Sequence, residues 1–203
     1  MKINKKLILA GGIGLFLGVF AILGERLVTY HPEEEIHYHA NVAVYINGQR
    51  EQFEDIFYYI DTGTACGAGQ KTTPYERAHL HDNVNDVVHV EDEAVTWGQF
   101  FQNIGWVIDS KLVRTPDQLL LADSENKLTF MLNGEQTDKV INSVIGDKDR
   151  LLVDFGSTDS QTLQREFESV ASTAGKYNGS KDIGSCGGAS EDDSWSNRMK
   201  HMF

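Results

Sequence analysis

The sequence predicts an α+β domain with a mainly antiparallel or mixed β-sheet and one or two helices, preceded by one N-terminal transmembrane helix. Three observations predict it. An uncharged apolar run occupies residues 7–24. Several short alternating segments separated by turn signals follow. One capping-box helix, with a second helical pattern near the end, interrupts them. Strands with a few interposed helices point to α+β rather than to a regularly alternating βα pattern.

The N-terminal run comes first. Eighteen residues at about 1.5 Å each span roughly 27 Å, close to one hydrocarbon core. Lys2, Lys5 and Lys6 precede the run and no acid does. By the positive-inside rule, residues 1–6 stay in the cytoplasm and everything after Glu25 lies outside. A cleaved signal peptide is the alternative. The run is long for a signal core, and no A-x-A site or lipidation cysteine follows it. The expected location is therefore the cell membrane, single-pass, with the C-terminal part extracytoplasmic.

Charge narrows the partners. The chain has 18 basic and 30 acidic residues. Setting aside the three lysines before the anchor leaves 15 basic against 30 acidic residues outside it. So acidic a surface argues against nucleic acid as a partner and against a basic membrane-binding patch. It suits a soluble exported surface, or one that attracts cations.

Residues 36–156 carry the folded pattern, and residues 157–203 form a helix and a Gly/Ser-rich acidic tail. Within residues 36–46, Ile36, Tyr38, Ala40, Val42, Val44 and Ile46 share one face of a strand. His37, His39, Asn41, Ala43 and Tyr45 share the other. Asn47-Gly48 is a hairpin turn signal, and residues 52–61 are expected to return as the partner strand. Residues 77–82 and 87–91 read as two more strands around an Asn/Asp-rich turn. An odd-length turn would set His81 opposite His89 and His79 opposite Glu91.

Thr96 and Gln99 form a capping box for a short helix whose stripe is Phe100, Phe101 and Ile104, ended by Gly105. Residues 127–133 form a strand before a second Asn-Gly turn, and residues 151–155 form the last strand. Asp159 or Ser160 caps a second helix, with Leu163, Phe167, Val170, Ala171, Ala174 and Tyr177 at helical spacing. The last residues, from Trp195 on, form an apolar end that docks on a partner, folds back or stays free.

The cysteines are Cys66 and Cys186, both in Gly-rich loops. An exported location permits a disulfide between them. Two free thiols, or Cys66 as a metal ligand, are the other possibilities.

The chemistry lies in the histidines. Five of the seven fall in the strand-like segments 36–46, 77–82 and 87–91. A divalent ion needs three or four donors converging at about 2.0–2.3 Å. Two H-x-H pairs followed by H-x-E place His37, His39, His79, His81 and His89 as candidate ligands, with Glu91 and Asp82 as ligating or orienting carboxylates. Imidazole-rich ligation suits copper(II) or zinc; copper(I) more often recruits Met or Cys. A carboxylate beside a metal-bound water would make a hydrolase. However, H-E-x-x-H, a serine elbow and a phosphate loop are all missing from the sequence, so an enzyme is the less favoured reading.

The combination H-x-H-x-x-V-x-V-Y-I-N-G, R-x-H-L-H-D, V-V-H-V-E and V-T-W-G-Q-F-F, with a late C-G-G, resembles a group of membrane-anchored, exported bacterial proteins. These include proteins from small-genome candidate phyla. The resemblance covers most of the chain after the anchor. It implies an extracytoplasmic location and a shared histidine cluster, and it implies no reaction. The expected role is capture, storage or delivery of copper or zinc near the membrane. The alternatives are an accessory subunit of a membrane protein complex and a metal-dependent hydrolase.

Overall fold

The computed structural model describes residues 5–30, 36–59, 73–80, 83–178 and 194–200. The chain divides into two compact units. One comprises Met1–Glu34 with Ala189–Phe203, the other Glu35–Gly188.

The first unit is built on α1 (Lys5–Thr29). Its stretch Leu9–Thr29 is long and apolar enough to cross a membrane. Leu15, Phe16, Leu17 and Phe20 on this helix are exposed. The helix continues past Gly24 through Glu25 and Arg26, where Thr29 Oγ1 donates back to the Glu25 carbonyl at 2.8 Å. In the same unit Arg198, on a short helix at Trp195–Lys200, donates to the Leu27 carbonyl at 2.8 Å.

The second unit is the α+β domain. Its strands are β1 (Tyr38–Ile46), β2 (Gln49–Arg50), β3 (Ala78–His79), β4 (Val87–Val90), β5 (Val107–Asp109), β6 (Leu112–Arg114), β7 (Leu119–Leu121), β8 (Lys127–Leu132), β9 (Glu135–Gln136) and β10 (Arg150–Gly156). The main sheet has the order β3-β4-β1-β10-β8-β9, with β2 turning back on β1. Only β1 and β10 run parallel; the other pairs are antiparallel, so the sheet is mixed.

The alternation of β1 explains the layering. Ala40, Val42 and Val44 enter the large core with Val88, Val90, Leu151, Val153 and Phe130. That core is closed by α2 (Trp97–Asn103), which inserts Trp97, Phe100 and Phe101. The Thr96–Gln99 capping box is present at its start, with Thr96 N donating to Gln99 Oε1 at 2.9 Å. Gly98 lies against residue 141: an added Cβ would meet the Ile141 carbonyl oxygen and Cγ2 at 2.8 Å. The opposite face of β1 meets α3 (Ser160–Ser169) through a smaller cluster of Ala43, Met131, Leu152, Phe167 and Val170.

Two sequence expectations are corrected, and one sheet is added to them. The return strand after Asn47-Gly48 is only Gln49–Arg50. The chain then leaves the sheet, with Phe53 at φ 47°, and forms a 3₁₀ turn at Ile56–Tyr58 capped by Asp55. The second helix is not continuous. It stops at Ser169 and resumes as α4 (Ala174–Tyr177). Tertiary polar groups impose this break: Arg150 takes the carbonyls of Phe167, Val170 and Ala171, and Asn41 Oδ1 accepts from the N–H groups of Thr173 and Ala174. Finally, β5, β6 and β7 form a separate three-stranded sheet that the sequence did not reveal. Strands of three residues are too short to display a period.

Candidate metal centre

Strand register assembles the histidines. His39 on β1 is paired with His89 on β4, and His89 is paired with His79 on β3. Pairing partners share a face, so the three rings form a row across adjacent strands. The His39–His89 ring centroids are 4.7 Å apart and the His79–His89 centroids 5.0 Å. His37 shares the parity of His39 and folds over the end of the row, 4.9 Å from His39 and 4.6 Å from His89. His39 is fully buried, and His79 and His89 are 1 % exposed.

The parity expected from the sequence is correct and the register is not. His79 faces His89 rather than Glu91. The β3–β4 pairing is Ala78 with Val90 and His79 with His89, and beyond it Leu80 bridges in parallel to Tyr59. His81, Asp82, Cys66 and Cys186 lie outside the described residues.

The elements carrying these rings are pinned from several sides. Asn103 of α2 donates to the Ala78 carbonyl at 2.8 Å and fixes β3. The turn at 147–148 is tied to β1 by Lys148 N donating to the His39 carbonyl at 2.8 Å and Asn41 N donating to the Asp149 carbonyl at 2.7 Å. Asn41 also holds α4, as above, and α4 brings Tyr177 to 5.6 Å from the His39 ring.

The hydrogen bonds decide which nitrogens can bind a cation. His39 Nδ1 lies 2.9 Å from Asn178 Oδ1, and the His39 backbone N–H donates to the same oxygen at 3.1 Å. Asn178 Nδ2 donates to Asp147 Oδ1 at 2.6 Å, which fixes the amide orientation. His39 Nδ1 therefore carries a hydrogen. On the other ring, His89 Nε2 lies 2.9 Å from Glu91 Oε1. Against an ionised Glu91, which only accepts, this nitrogen too would carry the hydrogen. The inner nitrogens, His39 Nε2 and His89 Nδ1, face each other at 2.8 Å.

With both outer nitrogens protonated, two neutral rings would present two lone pairs to each other across that gap. Such a contact repels, and a cation between them removes the repulsion. A proton serves in its simplest form, and a metal ion is the larger alternative. Two bonds of about 2.05 Å to donors this far apart meet at roughly 85°, an ordinary ligand angle.

His37, His39 and His89 form a group that can hold a metal ion, with one nitrogen from each ring within 4.8 Å of the others. Tetrahedral sites hold their donors about 3.3 Å apart, so binding would close the wider separations in the group and open the 2.8 Å pair slightly. Glu91 sits on the outer nitrogen of His89, the place of an orienting carboxylate. His79 Nδ1 is 2.9 Å from the Glu76 carbonyl, which makes it a donor and leaves Nε2 as the lone-pair nitrogen of that ring.

Sequence reasoning missed Asn178, Asp147 and Glu76. None has a local signal; Asn178 is 139 residues from His39. The Asp147 carboxyl is pushed up by burial. Hydrogen bonds from Lys148 and Asn178 and the Lys148 charge outweigh that and hold it below its ordinary value. It is thus a fully ionised acceptor for Asn178.

These features define an α+β domain with a buried imidazole cluster, in a chain that also carries an N-terminal apolar helix. No family model, curated protein or solved structure matches the chain.

Proposed function

We propose that the protein is a membrane-anchored, extracytoplasmic transition-metal-binding protein that captures, stores or delivers copper or zinc. His37, His39 and His89 are the primary ligands. His79, His81, Glu91 and Asp82 complete or orient the set. The single observation that carries this reading is the 2.8 Å approach of His39 Nε2 to His89 Nδ1, with the outer nitrogen of each ring held on an oxygen. A ring whose outer N–H is fixed in this way directs its inner lone pair at a metal.

The donor set is nitrogen and oxygen, which favours zinc or copper(II) over copper(I). The apolar stretch Leu9–Thr29, preceded by three lysines, supports an anchor with the domain outside. The acidic balance of that domain favours attraction of cations over nucleic acid. The hydrolase reading gains little, because Glu91 is engaged by His89 rather than placed as a base for water.

The test is metal content of the full chain, purified without an affinity tag that binds metal. About one equivalent of copper or zinc, lost in His39→Ala and His89→Ala, supports the reading. A protein that takes up neither metal on titration excludes it, and a docked accessory subunit of a membrane complex then becomes the better account.

A further inference from the structure

We infer that Asn178 is the positioning residue of the histidine cluster: oriented by Asp147, it fixes the His39 ring as the Nδ1–H tautomer and so aims Nε2 at the metal. The affinity arm of this inference rests on the metal-binding reading; the tautomer arm does not.

The orientation of the Asn178 amide is settled by its neighbours. Its oxygen receives two donors, the His39 backbone N–H at 3.1 Å and His39 Nδ1 at 2.9 Å. Its nitrogen donates to the Asp147 carboxylate at 2.6 Å. A flipped amide would set NH₂ against a backbone N–H and oxygen against a carboxylate, two repulsive contacts in place of favourable ones. The oxygen therefore stays on His39, and a neutral His39 must place its hydrogen on Nδ1.

Both ends of this relay are anchored. Asp147 sits in the turn that Lys148 N ties to the His39 carbonyl at 2.8 Å. Asn178 follows α4, whose start is held by Asn41 Oδ1 at 3.0 Å from Thr173 N and 2.9 Å from Ala174 N. Asn41 lies two residues beyond His39 on the same strand face. The helix that delivers Asn178 is thus indexed to the strand that carries its target. A purely structural bridge from α4 to β1 needs only the backbone bond; the second bond, to the ring, is what selects the tautomer.

Long-range ¹H–¹⁵N NMR of histidine-labelled full chain in detergent reads the tautomer without any metal, and chelator competition reads zinc affinity. Asn178→Ala is expected to remove the Nδ1–H signature of His39 and to weaken zinc about 10–100-fold. The double variant Asn178→Asp with Asp147→Asn exchanges the two groups and keeps every donor facing an acceptor. It is expected to restore both readouts, and it decides the matter if the alanine variant does not fold. An alanine variant that keeps wild-type tautomer and affinity overturns the inference, as does a folded double variant that recovers neither. A wild-type chain that binds no zinc but shows the tautomer shift in Asn178→Ala fails the metal reading and upholds the latch.

Discussion

His39 Nε2 and His89 Nδ1 face each other across 2.8 Å while Asn178 and Glu91 hold the far side of each ring. The two histidines are directly paired on adjacent antiparallel strands, so the backbone register sets their approach before any ligand is present. Replacing either removes half of the convergent pair. His89→Ala should abolish stoichiometric copper or zinc binding, measured by titration, with far-UV circular dichroism unchanged. Retained stoichiometric binding would refute the assignment.

Glu91 acts on the metal only through His89. Glu91→Gln keeps an acceptor but removes its charge, and Glu91→Ala removes the acceptor. Metal affinity should fall in the order wild type, glutamine, alanine, with a total loss of about 10–100-fold. Equal affinities across the three would show that the His89–Glu91 contact has no bearing on the site.

Asp154 and Glu166 form a second buried polar feature, unconnected with the histidines. Asp154 lies on β10, opposite Tyr45 of β1 and Thr129 of β8. It is 1 % exposed, and Glu166 on α3 is 7 % exposed. Burial raises the Asp154 carboxyl, partly offset by hydrogen bonds with Thr158 and Glu166. Burial, then the charge and hydrogen bond of Asp154, push Glu166 up to about 7. A carboxyl raised in the folded state contributes stability that is complete below its unfolded value of 4.5 and is lost as pH rises through about 7. Denaturant unfolding should therefore show the domain weakening between about pH 4.5 and 7, by on the order of 3 kcal/mol, and levelling off above pH 7. Glu166→Gln should flatten that dependence. An unchanged pH profile in the variant would remove the pair as its cause.

Gly98 tests the packing of α2. A methyl there would lie 2.8 Å from the Ile141 carbonyl oxygen, a backbone atom that cannot turn aside. The gain in helix propensity from Gly98→Ala is about 1 kcal/mol, and overpacking costs about 1–3 kcal/mol. Net destabilisation is expected, read as a lower midpoint of thermal unfolding; a raised midpoint would show that the 140–142 turn yields freely.

The sequence was most legible where one strand or one helix turn contains the whole signal. The parity of residues 36–46 gave the two faces of β1 correctly, and Thr96 with Gln99 gave the start of α2. It was least legible where distant groups intervene. The break between α3 and α4 depends on Arg150 and Asn41, and the pairing of His79 with His89 on the way β3 meets β4 across an intervening turn. The histidine cluster was visible as residue types, and its same-face grouping followed from parity. Which nitrogen points inward was not, because Asn178 reaches His39 from the far end of the domain.

Copper and zinc titration of the full chain, beside His39→Ala and His89→Ala, tests the central claim most directly. About one tightly held equivalent is expected in the wild type and none in either variant. A wild-type chain that binds neither metal, or variants that bind like it, would contradict the account.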